Sequence, residues 1–276
     1  MAGLLRNLRS RLRNVPLAAW AYHRAREFLL PLGAPMATTP WGFRMAGHVQ
    51  MQSGEFEPEE VALMRALLRQ HDVLVDVGAN IGLYTCLARS LGRRAIAVEP
   101  LPANLRFLRA NLAANDWSDT EVAEAGLACE AGSAELFGTA TGASLVAGWA
   151  SLPRRTLMRH TIRLTSLDAL LGERFAGERL LIKADIEGAE HGMLQGARRT
   201  LGRDPAPTWL VEICLTENFP DGANPNYAAT FEEFFSRGYS ARTANAAARP
   251  VSPEEVLQWV AQGRVASGSY NYLFTR

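Results

Sequence analysis

The sequence predicts an α/β protein built on a doubly wound, mostly parallel sheet, and three observations lead there. Short apolar runs, VLVDV from Val73, AIAVE from Ala95 and LLIKADI from Leu180, are each followed by a stretch of helical periodicity, and a further run, WLVEICL, starts at Trp209. Alternation of this kind builds crossover units, whose helices cover both faces of a parallel sheet. The chain has 276 residues, of which 48% are apolar and 21% charged, which suits one sizeable core better than two.

The elements follow in order. Residues 1–30 read as a basic amphipathic helix, with Leu4, Leu5, Leu8 and Leu12 at helical spacing, Arg6, Arg9, Arg11 and Arg13 between them, and Pro16 as a break. Two readings stand for it: a helix lying on an anionic membrane surface, or an appendage packed on the main domain. Residues 31–56, with Pro31, Pro35 and Pro40, form a connecting segment, so the expected division is residues 1–55 as extension and 56–276 as the main domain. Pro58-Glu59-Glu60 opens a helix to about Gln70, and the strand at Val73 leads to a helix ending near Ser90. AIAVE leads to a helix from about Ala103 to Asn115, and LLIKADI to one reaching about Leu201. Between them, TEVAEAGLACEAGSAELF suggests a strand and an antiparallel ribbon, and TIRLTSLDALL a strand and short helix. The tail from Tyr239 supplies two closing strands around a helix at Pro253 to Ala261.

Composition excludes several classes. A formal net charge of +1 and the lack of a basic, aromatic-interleaved patch argue against a nucleic-acid partner. The three cysteines, Cys86, Cys129 and Cys214, make neither a zinc pattern nor a disulfide framework. No stretch approaches the roughly 20 apolar residues of a bilayer span, and no signal-peptide core stands at the amino terminus, so a cytoplasmic protein is expected, at the inner membrane face if residues 1–30 bind lipid.

The chemistry begins at VLVDVGANIG. A glycine turn at the carboxyl end of a parallel strand lets a ligand approach the backbone and the next helix N-terminus. Its spacing is Asp-x-Gly-x-x-x-Gly, whereas a dinucleotide fingerprint needs Gly-x-Gly-x-x-Gly. Asp76 at the mouth would repel a pyrophosphate and attract an amine or sulfonium, both of which S-adenosylmethionine carries. Glu99 stands 23 residues later, where a carboxylate accepts ribose hydroxyls.

Three blocks, DVGANIGLYT, AVEPLPANLRFLRANL and LLIKADIEGAEHGMLQGA, together resemble the FkbM-family S-adenosylmethionine-dependent methyltransferases from about His71 to Leu215. The resemblance implies a Rossmann-like class I methyltransferase fold, a seven-stranded sheet with its last strand antiparallel. It also implies bound S-adenosylmethionine and methyl transfer, commonly to a hydroxyl of a sugar or natural product. The cofactor roles it implies fall to Asp76, Gly78, Ala79, Asn80, Gly82, Thr85, Glu99 and Pro100. Ala184 replaces the family's more usual Ile or Val, and His191 is no family position; neither removes a chemical group.

Lys183 interrupts a buried strand, and a buried ammonium needs a partner. Asp185 lies two residues on and Glu212 interrupts the neighbouring run, so the three are expected to converge. Asp185 is the first choice for the base, or for holding the acceptor hydroxyl, Glu212 the second, and Lys183 tunes the pair rather than reacting. The alternative is a structural ion network. Glu187 and Glu190 complement a helix dipole, and no metal is expected, although Asp185, Glu187 and Glu212 are donors of the kind that suits magnesium or calcium. Ser144, His48, His160, Trp149, Phe219 and Tyr227 are the remaining candidates for substrate contact, and His191 reads as a surface residue. The competing functions are a nicotinamide oxidoreductase, disfavoured by the glycine spacing, and a non-catalytic cofactor-binding protein. Asn224-Pro225-Asn226-Tyr227 imitates the turn of amino methyltransferases but follows the wrong run.

Overall fold

The computed structural model describes residues 34–138, 143–149, 159–220 and 222–276, and the expected helix over residues 1–30 lies outside them. The sheet contains β1 (Val73–Val77), β2 (Arg94–Val98), β3 (Glu121–Ala123), β4 (Leu180–Ala184), β5 (Thr208–Glu212), β6 (Ser240–Thr243), β7 (Pro250–Val251) and β8 (Asn271–Thr275). Their spatial order is β7-β6-β8-β5-β4-β1-β2-β3. Strands β1 to β5 are parallel to one another, and β8 runs antiparallel to both β5 and β6. This is the expected doubly wound sheet of seven strands with the last antiparallel, plus the two-residue edge strand β7. Strand order reverses between β1 and β4, the crevice where open α/β sheets bind ligands.

The principal helices are α1 (Pro58–Leu68), α2 (Leu83–Ser90), α3 (Pro102–Ala113), α4 (Glu190–Gln195), α5 (Tyr227–Phe235) and α6 (Pro253–Gln262). Period-two alternation divides each strand between two cores. Val73, Val75, Val77, Ile182, Trp209 and Val211 face a cluster with Phe231 and Phe234 of α5. Leu74, Leu181 and Leu210 face a second cluster with Met64, Leu87 and Leu108, from α1, α2 and α3. Phe43, Met45 and Met51, upstream of α1, belong to this second core. The alternation matters for the site, because Asp76, Lys183 and Glu212 are two residues from Leu74, Leu181 and Leu210 and share their face.

Two expectations change. The helix after LLIKADI is not continuous: α4 ends at Gln195 and a separate turn spans Arg198–Leu201. Gly196 lies between them because the chain passes so close to a neighbour that a Cβ there would stand 2.2 Å from the Ala128 carbonyl oxygen. The ribbon also pairs differently, since Gly132–Phe137 is antiparallel to Arg159–Thr165 in a small three-stranded sheet completed by Gly126–Leu127. That sheet forms a wall beside the carboxyl end of β2. Among the described residues, no helix is long and apolar enough to cross a membrane.

Candidate active site

A cleft of about 660 Å³, the open solvent at its mouth included, lies at the reversal point between β1 and β4. Gly78, Asn80, Glu99 and Pro100 line one side, Ala125, Gly126 and Leu127 the next, and Asp185 to Glu187 the third. Leu136, Leu145 and Ile162 close the back with apolar surface.

The glycine turn is shaped by close packing. Gly78 has φ 82°, and a Cβ on it would lie 1.9 Å from the Asp185 carbonyl oxygen. Its amide and that of Ala79 both donate to the Val98 carbonyl, which pulls the turn across the end of β2. Gly82 has φ 92° and begins α2 against Leu108. Gly78→Ala is therefore expected to cost about 3 kcal/mol or more of stability in urea denaturation, combining strain with overlap. Gly92, with φ 70° and open space around its Cβ position, isolates the backbone term, and Gly92→Ala should cost about 1 kcal/mol. Equal costs in the two variants would remove the close approach as the reason for Gly78.

Glu99 is buried at the cleft wall. Its Oε2 accepts the Asn80 amide at 2.8 Å, and its Oε1 accepts the Leu101 amide at 2.8 Å and the Asn104 side chain at 3.3 Å. Burial pushes this carboxyl up to about 7 against those hydrogen bonds. Each oxygen keeps lone-pair capacity for a ligand hydroxyl. The Asn80 side-chain oxygen is buried in the same wall with no hydrogen-bond partner among the described residues. A pre-oriented carboxylate and an orphaned amide oxygen suit a polyhydroxylated, amine-bearing ligand, so the residues present fit an S-adenosylmethionine-type cofactor.

Asp76, Ala79, Gly82 and Thr85 stand behind this wall. The Asp76 carboxylate is not open at the mouth, because it accepts the Thr85 hydroxyl at 2.6 Å and faces Lys183 across the β1–β4 register. Burial raises its proton affinity and Lys183 opposes that.

The predicted convergence of charge is present with a different pairing. Lys183, 3% exposed, reaches Asp185 at 3.1 Å and Glu60 of α1 at 3.4 Å, with its ammonium 4.7 Å from the Tyr84 ring centre. Burial would strip its proton, but Asp185, Glu60, Asp76 and Glu57 together hold the ammonium above its ordinary value. Glu212 bonds to Asp185 instead of closing on Lys183. Burial, then the charges of Asp185 and Glu187, hold the Glu212 carboxyl well above the carboxylate range, so it keeps its proton through neutral pH. Burial works against ionisation of Asp185 also, yet Lys183 and the bond from Glu212 keep it below its usual value. The result is one carboxylate, one carboxylic acid and one ammonium, with Asp185 34% exposed to the cleft.

Residues 76–261 match the family model of the methyltransferase FkbM domain. The chain belongs to the FkbM methyltransferase family. Solved structures similar to this FkbM methyltransferase include an O-methyltransferase from Bacillus cereus in complex with SAH, at 12% identity, TM-score 0.44 and coverage of 79% of this chain and 80% of that one. A precorrin-6y C5,15-methyltransferase from Geobacter metallireducens GS-15 aligns at 18% identity and TM-score 0.40 over 71% and 79%. The cofactor-bound Rv0187 from MTB aligns at 16% identity and TM-score 0.41 over 93% and 88%. No curated protein matches the chain.

The other candidates of the FkbM methyltransferase fall into structural roles. Ser144 is buried and donates to the Glu187 carbonyl at 2.5 Å. Trp149 donates its ring N–H to Glu187 at 2.5 Å and packs edge-on against Phe219 with 4.8 Å between centroids, so neither offers an open face. Tyr227 lies in the core and pairs with the Tyr272 hydroxyl at 3.0 Å, which removes it from the substrate candidates. His160 is buried in the small sheet, and His48 packs against Phe56. His191 is half-buried on α4. Glu190 is buried, and its side chain folds back to accept the amides of Ile186 and Gly188, shaping the loop that carries Glu187. Among the described residues no three His, Cys, Asp or Glu side chains are placed to hold a metal ion. Glu57, Glu60 and Tyr84 are the site residues that sequence reasoning missed. The signal that could have found Glu60 is its place in the Pro58-Glu59-Glu60 helix start, which any first-turn acid shares.

Proposed function

We propose that this methyltransferase moves the methyl group of S-adenosylmethionine to a hydroxyl oxygen of a sugar, glycolipid or natural-product acceptor. The observation that carries the reading is the Asp185 carboxylate, which lines the end of the cofactor cleft with 34% of its side chain exposed and is held from behind by Lys183 at 3.1 Å. S-adenosylmethionine, when bound, supplies a methyl group on a sulfonium, and in-line displacement then needs only an oriented oxygen that can shed its proton. Asp185 is an acceptor that can hold such a hydroxyl by a charge-assisted hydrogen bond and take its proton as the oxygen loses charge to the new bond. Glu212, as a donor to Asp185, fixes which carboxylate oxygen faces the acceptor. Glu99 would hold the ribose hydroxyls, and the apolar wall of Leu136, Leu145 and Ile162 would exclude water from the rest of the cleft.

Calorimetric titration with S-adenosylhomocysteine tests the cofactor. Saturable binding is expected, with Glu99→Ala weakening it about tenfold or more, since hydrogen bonds to a charged group are lost. The acceptor class is tested by methyl-labelled S-adenosylmethionine with fractionated cell extract. Label in glycan or glycolipid that survives mild base supports ether formation at a hydroxyl, and label confined to nitrogen or carbon overturns it.

A further inference from the structure

Glu60 and Glu57 precede the matched family region, which begins at residue 76, yet both reach the active site. Lys183 is the only lysine of the sequence, the other 28 basic residues being arginines. A guanidinium is a planar fork suited to one carboxylate at a time, whereas an ammonium is a compact charge that several groups can share from different directions. Lys183 is shared in that way, between Asp185 from its own strand, Glu60 from α1 and the face of Tyr84 from α2. Glu57 adds a second tie. It stands at the start of α1 with φ 43°, uncommon for a residue other than glycine, and makes no capping bond with its side chain. Its carboxylate accepts the Tyr84 hydroxyl at 3.0 Å instead, holding the ring beneath the ammonium.

We propose that Glu60 is a positioning residue for methyl transfer: it pins the Lys183 ammonium between α1 and β4, so that Lys183 holds the Asp185 carboxylate in one orientation at the cleft. The inference rests on the reading of Asp185 as the group that meets the acceptor hydroxyl. Without the Glu60 charge the ammonium keeps a single close ion pair and turns fully to Asp185, drawing that carboxylate away from the acceptor. The titratable groups facing Lys183 and Asp185 are Glu57 and Glu60 from α1, Asp76 from β1, Tyr84 from α2, Glu187 and Glu190 after β4, and Glu212 from β5. Two members of this set, Glu57 and Glu190, are raised to about 7 by burial, and of the two it is Glu57 that the neighbouring Glu60 charge pushes up as well.

The sole lysine makes the test direct, because protein grown with ¹⁵Nζ,¹³Cε-lysine carries one side-chain ammonium signal. In the wild type this signal should inflect near neutral pH as Glu57 and Glu190 ionise. In Glu60→Gln the signal should move, and the Glu57 part of its inflection should fall by about half a unit or more while the Glu190 part stays. Turnover at saturating S-adenosylmethionine on the labelled extract fraction should fall about tenfold, with S-adenosylhomocysteine affinity kept within about twofold. Glu60→Asp keeps the charge on a shorter arm, so its signal should move while the inflection stays. Turnover in Glu60→Gln within about twofold of wild type overturns the proposal, as does an unchanged ammonium signal. If Glu60→Gln does not fold, an unmoved signal in Glu60→Asp overturns it equally. Failure of the methyl-transfer reading would show elsewhere, as absence of S-adenosylhomocysteine binding to the wild type.

Discussion

Lys183→Met is expected to destabilise the protein by about 3–5 kcal/mol, the cost of leaving buried charge without its partner. Lys183 is surrounded by Asp185, Glu60, Asp76 and Glu57, and methionine fills the space while removing the only cation that faces them among the described residues. For a protein of this size a loss of that order lowers the melting temperature by about 10 °C. The pH dependence gives a second signature. Burial already raises Asp76, and burial with the Glu60 charge raises Glu57 to about 7; loss of the ammonium raises both further. A carboxyl whose folded value is raised stabilises the fold most below its unfolded value and loses that contribution as pH climbs through the folded value. The deficit of Lys183→Met should therefore be largest near pH 8 and narrow toward pH 5, where protons replace the missing cation. A wild-type melting curve at pH 8 would show that the charges are solvated, contrary to their burial.

Much of this arrangement was legible in the sequence, for a physical reason. An apolar strand that contains one lysine or one acid announces a buried charge, and side-chain alternation puts Lys183 and Asp185 on one face without knowledge of any neighbour. The parallel sheet was legible for the same kind of reason, since strands buried on both faces are written as apolar runs. What could not be read was the identity of partners far along the chain. Glu60 lies 123 residues before Lys183, and its place as an ordinary first-turn acid of α1 fits the helix dipole equally well. The break between α4 and the turn at Arg198 was hidden too. Gly196 interrupts a helical pattern only because the Ala128 carbonyl passes beside it, a contact between segments with no common local signal. The aromatic candidates failed in the opposite sense. Trp149, Phe219 and Tyr227 stand in or beside loops in the sequence, but large apolar area is seldom left open, and each found a partner inside the protein.

Asp185→Asn is expected to lower turnover by about a hundredfold or more while S-adenosylhomocysteine still binds, because a positioned base contributes about 10² to 10⁴ in rate. The amide preserves the shape of the side chain, and Glu99 and Asn80 are untouched. The pH profile separates this role from simple misfolding. In the wild type, Lys183 and Glu212 keep Asp185 ionised below the ordinary carboxylate range, so activity should fall only in strong acid. At the alkaline side, activity should fall as Glu212 gives up its proton, since two carboxylates then repel where one acid and one carboxylate had bonded. In Asp185→Asn the charge that helped to hold the Glu212 proton is gone. Burial still raises Glu212, but less than burial and Asp185 together, so its ionisation moves down toward neutrality. Residual turnover should then rise with pH as Glu212 becomes the carboxylate of the pair, a direction opposite to the wild-type alkaline limb. Rates measured across that range at saturating S-adenosylmethionine decide the point. Full turnover in Asp185→Asn would pass the role to another group, and a residual rate flat with pH would show that Glu212 cannot stand in for Asp185 and that the two do not act on one acceptor.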